Sequence, residues 1–224
     1  MFDCILECNG VGAKAFLQGQ LTCNINDLKE NQPQLTACCN LQGRVIFTAY
    51  VTMQNDQSFL LVIPESMKNI VVSHLEKYAR FSKCDIVETD MGERHSPLQE
   101  ANVKTNIMNG IPTIYPETSE QIIAQRLNLH LIKGAISFKK GCYLGQEIIS
   151  RLHFKGKLKH HMILGEVPTT TPLKPGDNIV DDQKNSVGAV IDFCVDQNRT
   201  LVLFVNAIEN KQPQLESGQA ITLC

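Results

Sequence analysis

The period of the hydrophobic residues changes along this chain, and the change limits the folds open to it. Three strand-like runs, near residues 34 to 40, 44 to 53 and 57 to 63, are parted by turn signals at residues 40 to 43 and at Asn55-Asp56. That spacing predicts an antiparallel meander. Residues 2 to 6 read as a short strand before it, and Gly10 then releases a helix whose apolar face is Ala13, Phe16, Leu17 and Leu21. Pro64 opens a second helix over residues 65 to 80, where Met67, Ile70, Val71, His74, Leu75 and Tyr78 recur at helical spacing. His74 on that stripe reads as a packed histidine. A strand near 84 to 88 returns the chain to the sheet, giving an α+β layer with helices on one face.

Residues 89 to 109 lose periodicity and read as a connector. Residues 117 to 131 regain helical spacing through Ile122, Ile123, Leu127 and Leu131, with Thr118 or Ser119 as N-cap. From about residue 158 the period becomes two. Runs near 160 to 167, 178 to 181, 186 to 195, 200 to 209 and 219 to 223, parted by Pro, Gly, Asp and Asn clusters, predict a small all-β module, a barrel. The expected division is therefore an α+β domain over residues 1 to 157 and a β-barrel over 158 to 224.

A chain of 224 residues with 43% hydrophobic content can bury a core of one domain or two, which excludes disordered and fibrous classes. A net charge of -2 carries no global argument for nucleic acid or membrane binding, so any such patch must be local. No apolar run approaches the ~18 residues of a membrane span, and residues 1 to 3 open directly into folded-looking sequence. The expectation is a soluble, cytoplasmic protein with no membrane contact. Nine cysteines are present without a Cys-x-x-Cys pair, so most are expected to be small buried hydrophobes and no stably bound metal is expected.

One cysteine stands apart. Cys142 lies in Lys139-Lys140-Gly141-Cys142-Tyr143-Leu144-Gly145-Gln146-Glu147, just before a helical pattern of Gly145, Ile148, Ile149 and Leu152. Free N–H groups at a helix start and neighbouring ammonium groups both favour a thiolate. Gln146 and Glu147 fall in the first helical turn, where capping explains them without a ligand, and Arg151 is spaced to pair with Glu147. His153 lies too far along the helix for a local dyad with Cys142, leaving His95, His130 or His160 as spatial partners or as ordinary packed and surface histidines. Lys133, Lys139, Lys140, Arg151, Lys155, Lys157 and Lys159 face the single acid Glu147 in this region. With Phe154, Gly156 and His160-His161 among them, the stretch from 151 to 161 suits a phosphate backbone such as tRNA, a polyglutamate tail or an acidic protein, or is a solvated face.

These residues resemble the YgfZ family of folate-binding-like proteins, relatives of the glycine-cleavage T-protein, whose signature is Lys-Gly-Cys-Tyr-x-Gly-Gln-Glu. Residues 140 to 147 match it without a gap. The likeness extends to Phe16-Leu17-Gln18-Gly19-Gln20-Leu21-Thr22, Gly43-Arg44, Lys77-Tyr78, Phe81-Ser82-Lys83, Gly110-Ile111-Pro112, Ile136-Ser137-Phe138 and the terminal β module. It implies a T-protein-like α+β domain joined to a β-barrel, and a role in assembling or repairing iron-sulfur clusters in client enzymes, including tRNA-modifying ones. It also implies that Cys142 is the functional thiol, framed by Lys140, Gly141, Tyr143, Gly145, Gln146, Glu147 and Arg151. Folate or tetrahydrofolate is the implied cofactor, with Gln18, Gln20, Asn102 and Met108 at its site positions. The alternatives are a tetrahydrofolate-dependent one-carbon enzyme and a tRNA-associated binding module.

The chain departs from the family in its centre. Full-length relatives insert a second ferredoxin-like half between the segment ending near Glu88 and the Gly-Ile-Pro block, whereas residues 89 to 109 alone join them here, which marks a shortened member. Relatives often place tryptophan and Glu-Ala-Gly before that Pro, while this chain has no tryptophan and reads Met108-Asn109-Gly110. The T-protein carries a catalytic aspartate after its Gly-x-Val-Ile block, where this chain has Phe47-Thr48. The reading is therefore of a protein that is not an aminomethyltransferase.

Overall fold

The computed structural model describes residues 3–89, 103–168, 171–210 and 212–224. Strand β1 (Asp3–Asn9) leads to helix α1 (Ala13–Gln20), and the meander follows as β2 (Gln34–Cys39), β3 (Val45–Asn55) and β4 (Ser58–Pro64). A 3-10 turn and helix α2 (Lys68–Ala79) return the chain to β5 (Asp85–Glu88). The resulting sheet has five strands in the order β2-β3-β4-β1-β5, with every ladder antiparallel. Pro64, in extended conformation before the first turn, ends β4 and opens the helical stretch, as its fixed φ and missing N–H favour.

Strands β2, β3 and β4 do not alternate cleanly between wet and dry faces. Every residue of β4 is buried, and Cys38 and Cys39 are both buried because a register shift falls between them and both faces of the strand are covered. Met67, Val71, Leu75 and Ala79 of the α2 region point into the core, together with Ala13, Phe16 and Leu17 of α1. His74 packs as expected, its Nε2 3.3 Å from Cys38 Sγ. Burial, the larger cause, and the nearby Lys77 lower the His74 pKa, and burial raises that of Cys38 well above the thiol range.

Two readings of the middle of the chain are corrected. Residues 103 to 108 form helix α3 (Val103–Met108) within the stretch expected to be a plain connector. Residues 90 to 102, including His95 and Asn102, lie outside the described residues. Residues 117 to 131 form no α-helix: they run as turns ending in a short 3-10 segment, Leu129–Leu131. The cause is backbone pairing with the end of the meander. Val45 N–H donates to Ile122 O, Glu120 N–H to Val45 O and Ala124 N–H to Gly43 O, so the donors and acceptors a helix needs are already used. Thr118 caps no helix; its hydroxyl accepts from Tyr115 N–H and lies 3.2 Å from Tyr115 O.

Helix α4 (Gln146–Lys155) follows the signature, and the remaining strands are β6 (His160–Pro168), β7 (Asn178–Val180), β8 (Ser186–Asp196), β9 (Arg199–Ala207), β10 (Gln214–Leu215) and β11 (Thr222–Leu223). They form a six-stranded antiparallel sheet in the order β10-β7-β8-β9-β6-β11. Strand β9 shows how it is held. Leu201, Leu203 and Val205 join the main core with the first sheet, while Val202 and Phe204 join a second cluster with Val167, Ile179, Val190 and Leu215. Successive side chains point to opposite faces, so β9 is buried on both. Among the described residues no helix is long and apolar enough to cross a membrane.

Candidate functional site

The signature is built against the end of α1. Thr22 Oγ1 donates to Ala135 O at 2.6 Å and accepts from Ala37 N–H, while Ser137 N–H donates to Thr22 O and Leu144 N–H to Gly19 O. The family-like blocks at residues 16 to 22 and 136 to 147 therefore lie side by side. Lys140 is the clamp between them. Its ammonium donates to Leu21 O at 2.6 Å and Cys23 O at 2.7 Å and sits 4.9 Å from the centre of the Tyr143 ring. It is 9% exposed, and burial lowers its pKa to about 8, with Cys23 acting in the opposite direction. This corrects the expectation that Lys140 belongs to the cationic surroundings of Cys142: its charge is turned inward.

Glycine is required where α4 begins. Gly145 has φ of +79°, and a Cβ there would lie 2.5 Å from Asn40 O and 3.1 Å from Gly43 Cα. Gly43, with φ of +71°, closes the β2–β3 turn in which Gln42 N–H and Arg44 N–H donate to Asn40 Oδ1. The Gly43-Arg44 block and the signature thus meet glycine against glycine. Gln125 Nε2 donates to Ile149 O and ties α4 to the turn-rich segment behind it. Neither periodicity nor a motif singles out Gln125 in the sequence.

Tyr143 is buried beside Lys140, and its hydroxyl has no hydrogen-bond partner among the described residues. Burial, then the neighbouring Cys39, raises its pKa. Gly141, Cys142 and Glu147 are exposed, and a Cβ on Gly141 would meet nothing within 4 Å. The glycine before the thiol is not demanded by packing, and space is open beside it. Gln146 reaches back toward Lys140 O only at 3.5 Å, and α4 has no side-chain N-cap. Arg151 is exposed, and among the described residues it forms no ion pair with Glu147.

The other thiols confirm the contrast. Cys4, Cys8, Cys23, Cys38, Cys39 and Cys84 are buried, and burial pushes Cys4 up to about 11 and Cys39 up to about 12. Cys142 and Cys224 are the exposed ones. Among the described residues no histidine bonds to Cys142. His130 and His153 face one another near the C-terminal half of α4, and His160 begins β6.

No protein-family model matches the chain. A protein of Haemophilus influenzae named only as uncharacterized is 29% identical over 209 residues, covering 78% of this chain and 75% of its own. The tRNA-modifying protein YgfZ of Buchnera aphidicola subsp. Schizaphis graminum is 25% identical, covering 96% of this chain and 87% of its own, and that of Klebsiella pneumoniae is 26% identical, covering 76% and 73%. The aminomethyltransferase T of the glycine cleavage system from Bartonella henselae shares the fold, with a TM-score of 0.72 at 14% identity over 99% of this chain and 82% of its own. These likenesses, over most of the chain, fit a member of the YgfZ family.

Beside these relatives the chain is short. Its match to the Buchnera relative spans 283 positions although this chain has 224 residues, so the relative carries segments that this one lacks. Of the positions that the YgfZ resemblance gives to folate, Asn102 lies outside the described residues. Gln18 spends both ends of its amide inside its own loop, Nε2 to Asn24 Oδ1 and Oε1 from Ile25 N–H, each at 2.8 Å. Gln20 is buried with Oε1 unpartnered, and Met108 is 58% exposed at the end of α3. Thr48 is buried, its hydroxyl donating to Pro112 O and accepting from Ile114 N–H, so it holds the Gly-Ile-Pro block in place.

Proposed function

We propose that this chain serves iron-sulfur client enzymes, including tRNA-modifying ones, as a factor for assembling or repairing their clusters, and that Cys142 is the group it offers. The observation that carries this reading is the division within the signature: Lys140 and Tyr143 are buried and Gly145 is locked against Asn40, yet Cys142 is exposed beside a glycine with open space. A cysteine sulfur in such a place is a soft ligand for the iron of a client's cluster, which is the substrate here. Gly141 leaves room for approach, while Lys140, Tyr143 and Gly145 fix the loop that carries the thiol. The relatives named as tRNA-modifying proteins support the choice of clients.

Folate takes no step in this proposal, because Gln18 is committed to its own loop and, of the described folate positions, Gln20 offers one free buried acceptor. Aminomethyl transfer lacks its carboxylate, with a buried Thr48 at that place. We read residues 158 to 224 as a small barrel-like second domain: its edge strands β10 and β11 flank one turn, in which Gln214 is bridged to Ala220 and Ile221 N–H donates to Pro213 O. The test is complementation of a strain lacking its own YgfZ. Cys142→Ala is expected to give no rescue while the protein accumulates normally, and full rescue would sink the reading.

A further inference from the structure

An aromatic cluster lies on the outer side of α4, rooted in Phe138, which packs against the core, and reaching water through His153 and Phe154. His153 stacks on Phe138 with ring centres 3.8 Å apart and planes 16° from parallel. Phe154 meets both edge-on, 4.8 Å from His153 and 6.0 Å from Phe138, and His130 adds a ring 6.5 Å from His153. Phe154 keeps 68% of its surface in water, and Leu131, next to His130, keeps 71%. Two exposed rings, His153 and Phe154, braced by the half-buried rings of Phe138 and His130, form a platform rather than a stray apolar residue.

Cations surround that platform. Lys133, Lys139, Arg151, Lys155, Lys157 and Lys159 are exposed, and none has an ion-pair partner among the described residues. Glu147 is the acid on α4 itself. The strip continues past the helix, because Gln125 is tied to α4 and Asn128 Nδ2 donates to Met162 O on β6 at 2.7 Å, which brings Arg126 and His160 alongside. The charges are felt mutually. Burial first, then a neighbouring basic group, lowers the pKa of His130 (by His153), of His160 (by Arg126 and Lys159) and of Arg126 (by Arg44).

We propose that this face binds single-stranded RNA, with unpaired bases stacking on Phe154 and its neighbours and the phosphates tracking Arg151, Lys155 and Lys157. Stacking platforms set in a basic groove are the means by which proteins hold single strands, and a duplex hides the base faces that such rings need. An acidic protein would use the cations and leave the rings idle. The choice of RNA over DNA rests on the tRNA-directed reading above; the surface itself is independent of the thiol.

Fluorescence anisotropy of the full chain with a labelled single-stranded RNA of about 12 nucleotides tests it. The Phe154→Ala variant is expected to bind roughly tenfold more weakly with its salt dependence intact. The Lys155→Gln/Lys157→Gln variant should also bind more weakly, and its slope of log affinity against log salt should flatten by roughly 0.7 per lysine. DNA of the same sequence and duplex RNA should bind less tightly than the single-stranded RNA, and Cys142→Ala should bind like the parent. Parent-like binding by both surface variants would overturn the proposal, as would absence of binding at low salt, a preference for DNA or duplex, or polyglutamate binding that equals RNA and ignores Phe154. Because Cys142 takes no part in this assay, its failure leaves the cluster-maintenance reading standing, and the reverse holds.

Discussion

Within residues 139 to 147, the side chains that face the protein and those that face water are held by different physics. Lys140, Tyr143 and Gly145 are buried against α1, the segment 21 to 23 and the β2–β3 turn, and packing or hydrogen bonding accounts for Lys140 and Gly145. Gly141, Cys142 and Glu147 are exposed and are bound to nothing comparable. The difference separates a scaffold from what it displays. Substitutions on the inner side should unfold or loosen the loop, while those on the outer side should leave stability alone and change activity.

The largest effect is expected at Gly145. Alanine there forces a left-handed φ of +79° and sets a Cβ 2.5 Å from Asn40 O, which should cost roughly 3 kcal/mol in denaturant unfolding. A neutral result would show that the glycine contact does not hold the helix start. Lys140→Met comes next. It leaves the carbonyls of Leu21 and Cys23 unpaired in a buried site, and a loss of about 2 kcal/mol is expected after relief of the buried charge is set against it. Equal or greater stability would mean that the clamp is idle.

Asp192 sharpens the contrast from outside the signature, as a buried charge whose site is not closed. Oδ1 accepts from Tyr115 Oη and Phe193 N–H while Oδ2 has no close hydrogen-bond partner among the described residues, and burial, opposed by the hydroxyls of Thr113 and Tyr115 and by Phe193 N–H, raises the pKa from 3.8 to about 6. A carboxyl raised in the folded state contributes stability that is full below its unfolded pKa and lost as pH rises through its folded one. Stability should therefore fall by about 2 kcal/mol between pH 4 and 7 on this account. Asp192→Asn should remove that slope, read by chemical unfolding across the window, and an unchanged slope would place the cause elsewhere. The smallest effect is expected at Tyr143→Phe, where deleting an unpartnered buried hydroxyl should change stability by no more than about 0.5 kcal/mol. If that variant folds normally and fails to complement, the hydroxyl acts in function and Tyr143 moves to the outer group.

The meander and α2 were legible because their apolar spacing is local and their turns are marked by Asn, Gly and Pro. Residues 117 to 131 were not. Ile122, Ile123, Leu127 and Leu131 have helical spacing, but the backbone around them pairs with Val45 and Gly43, far away in sequence, and periodicity carries no record of that. Helix α3 is too short to repeat an apolar face, and β10 has only two residues. In the site, Cys142 and its glycines could be read from the motif. The inward turn of Lys140 could not, since its acceptors are backbone carbonyls that look alike in every sequence. Gln125 and Asp192 matter through single tertiary contacts and leave no pattern at all.

The central claim is that the signature displays a working thiol on a scaffold that does not need it for folding. Modified-nucleoside content of tRNA, in a strain lacking its own YgfZ and expressing either the parent or Cys142→Ala, measures this most directly when unfolding of the two purified proteins is compared alongside. The expected result is a midpoint shift corresponding to less than about 0.5 kcal/mol, as for an exposed side chain, together with loss of the cluster-dependent modifications. Parent-level modification by a stable Cys142→Ala protein would contradict it.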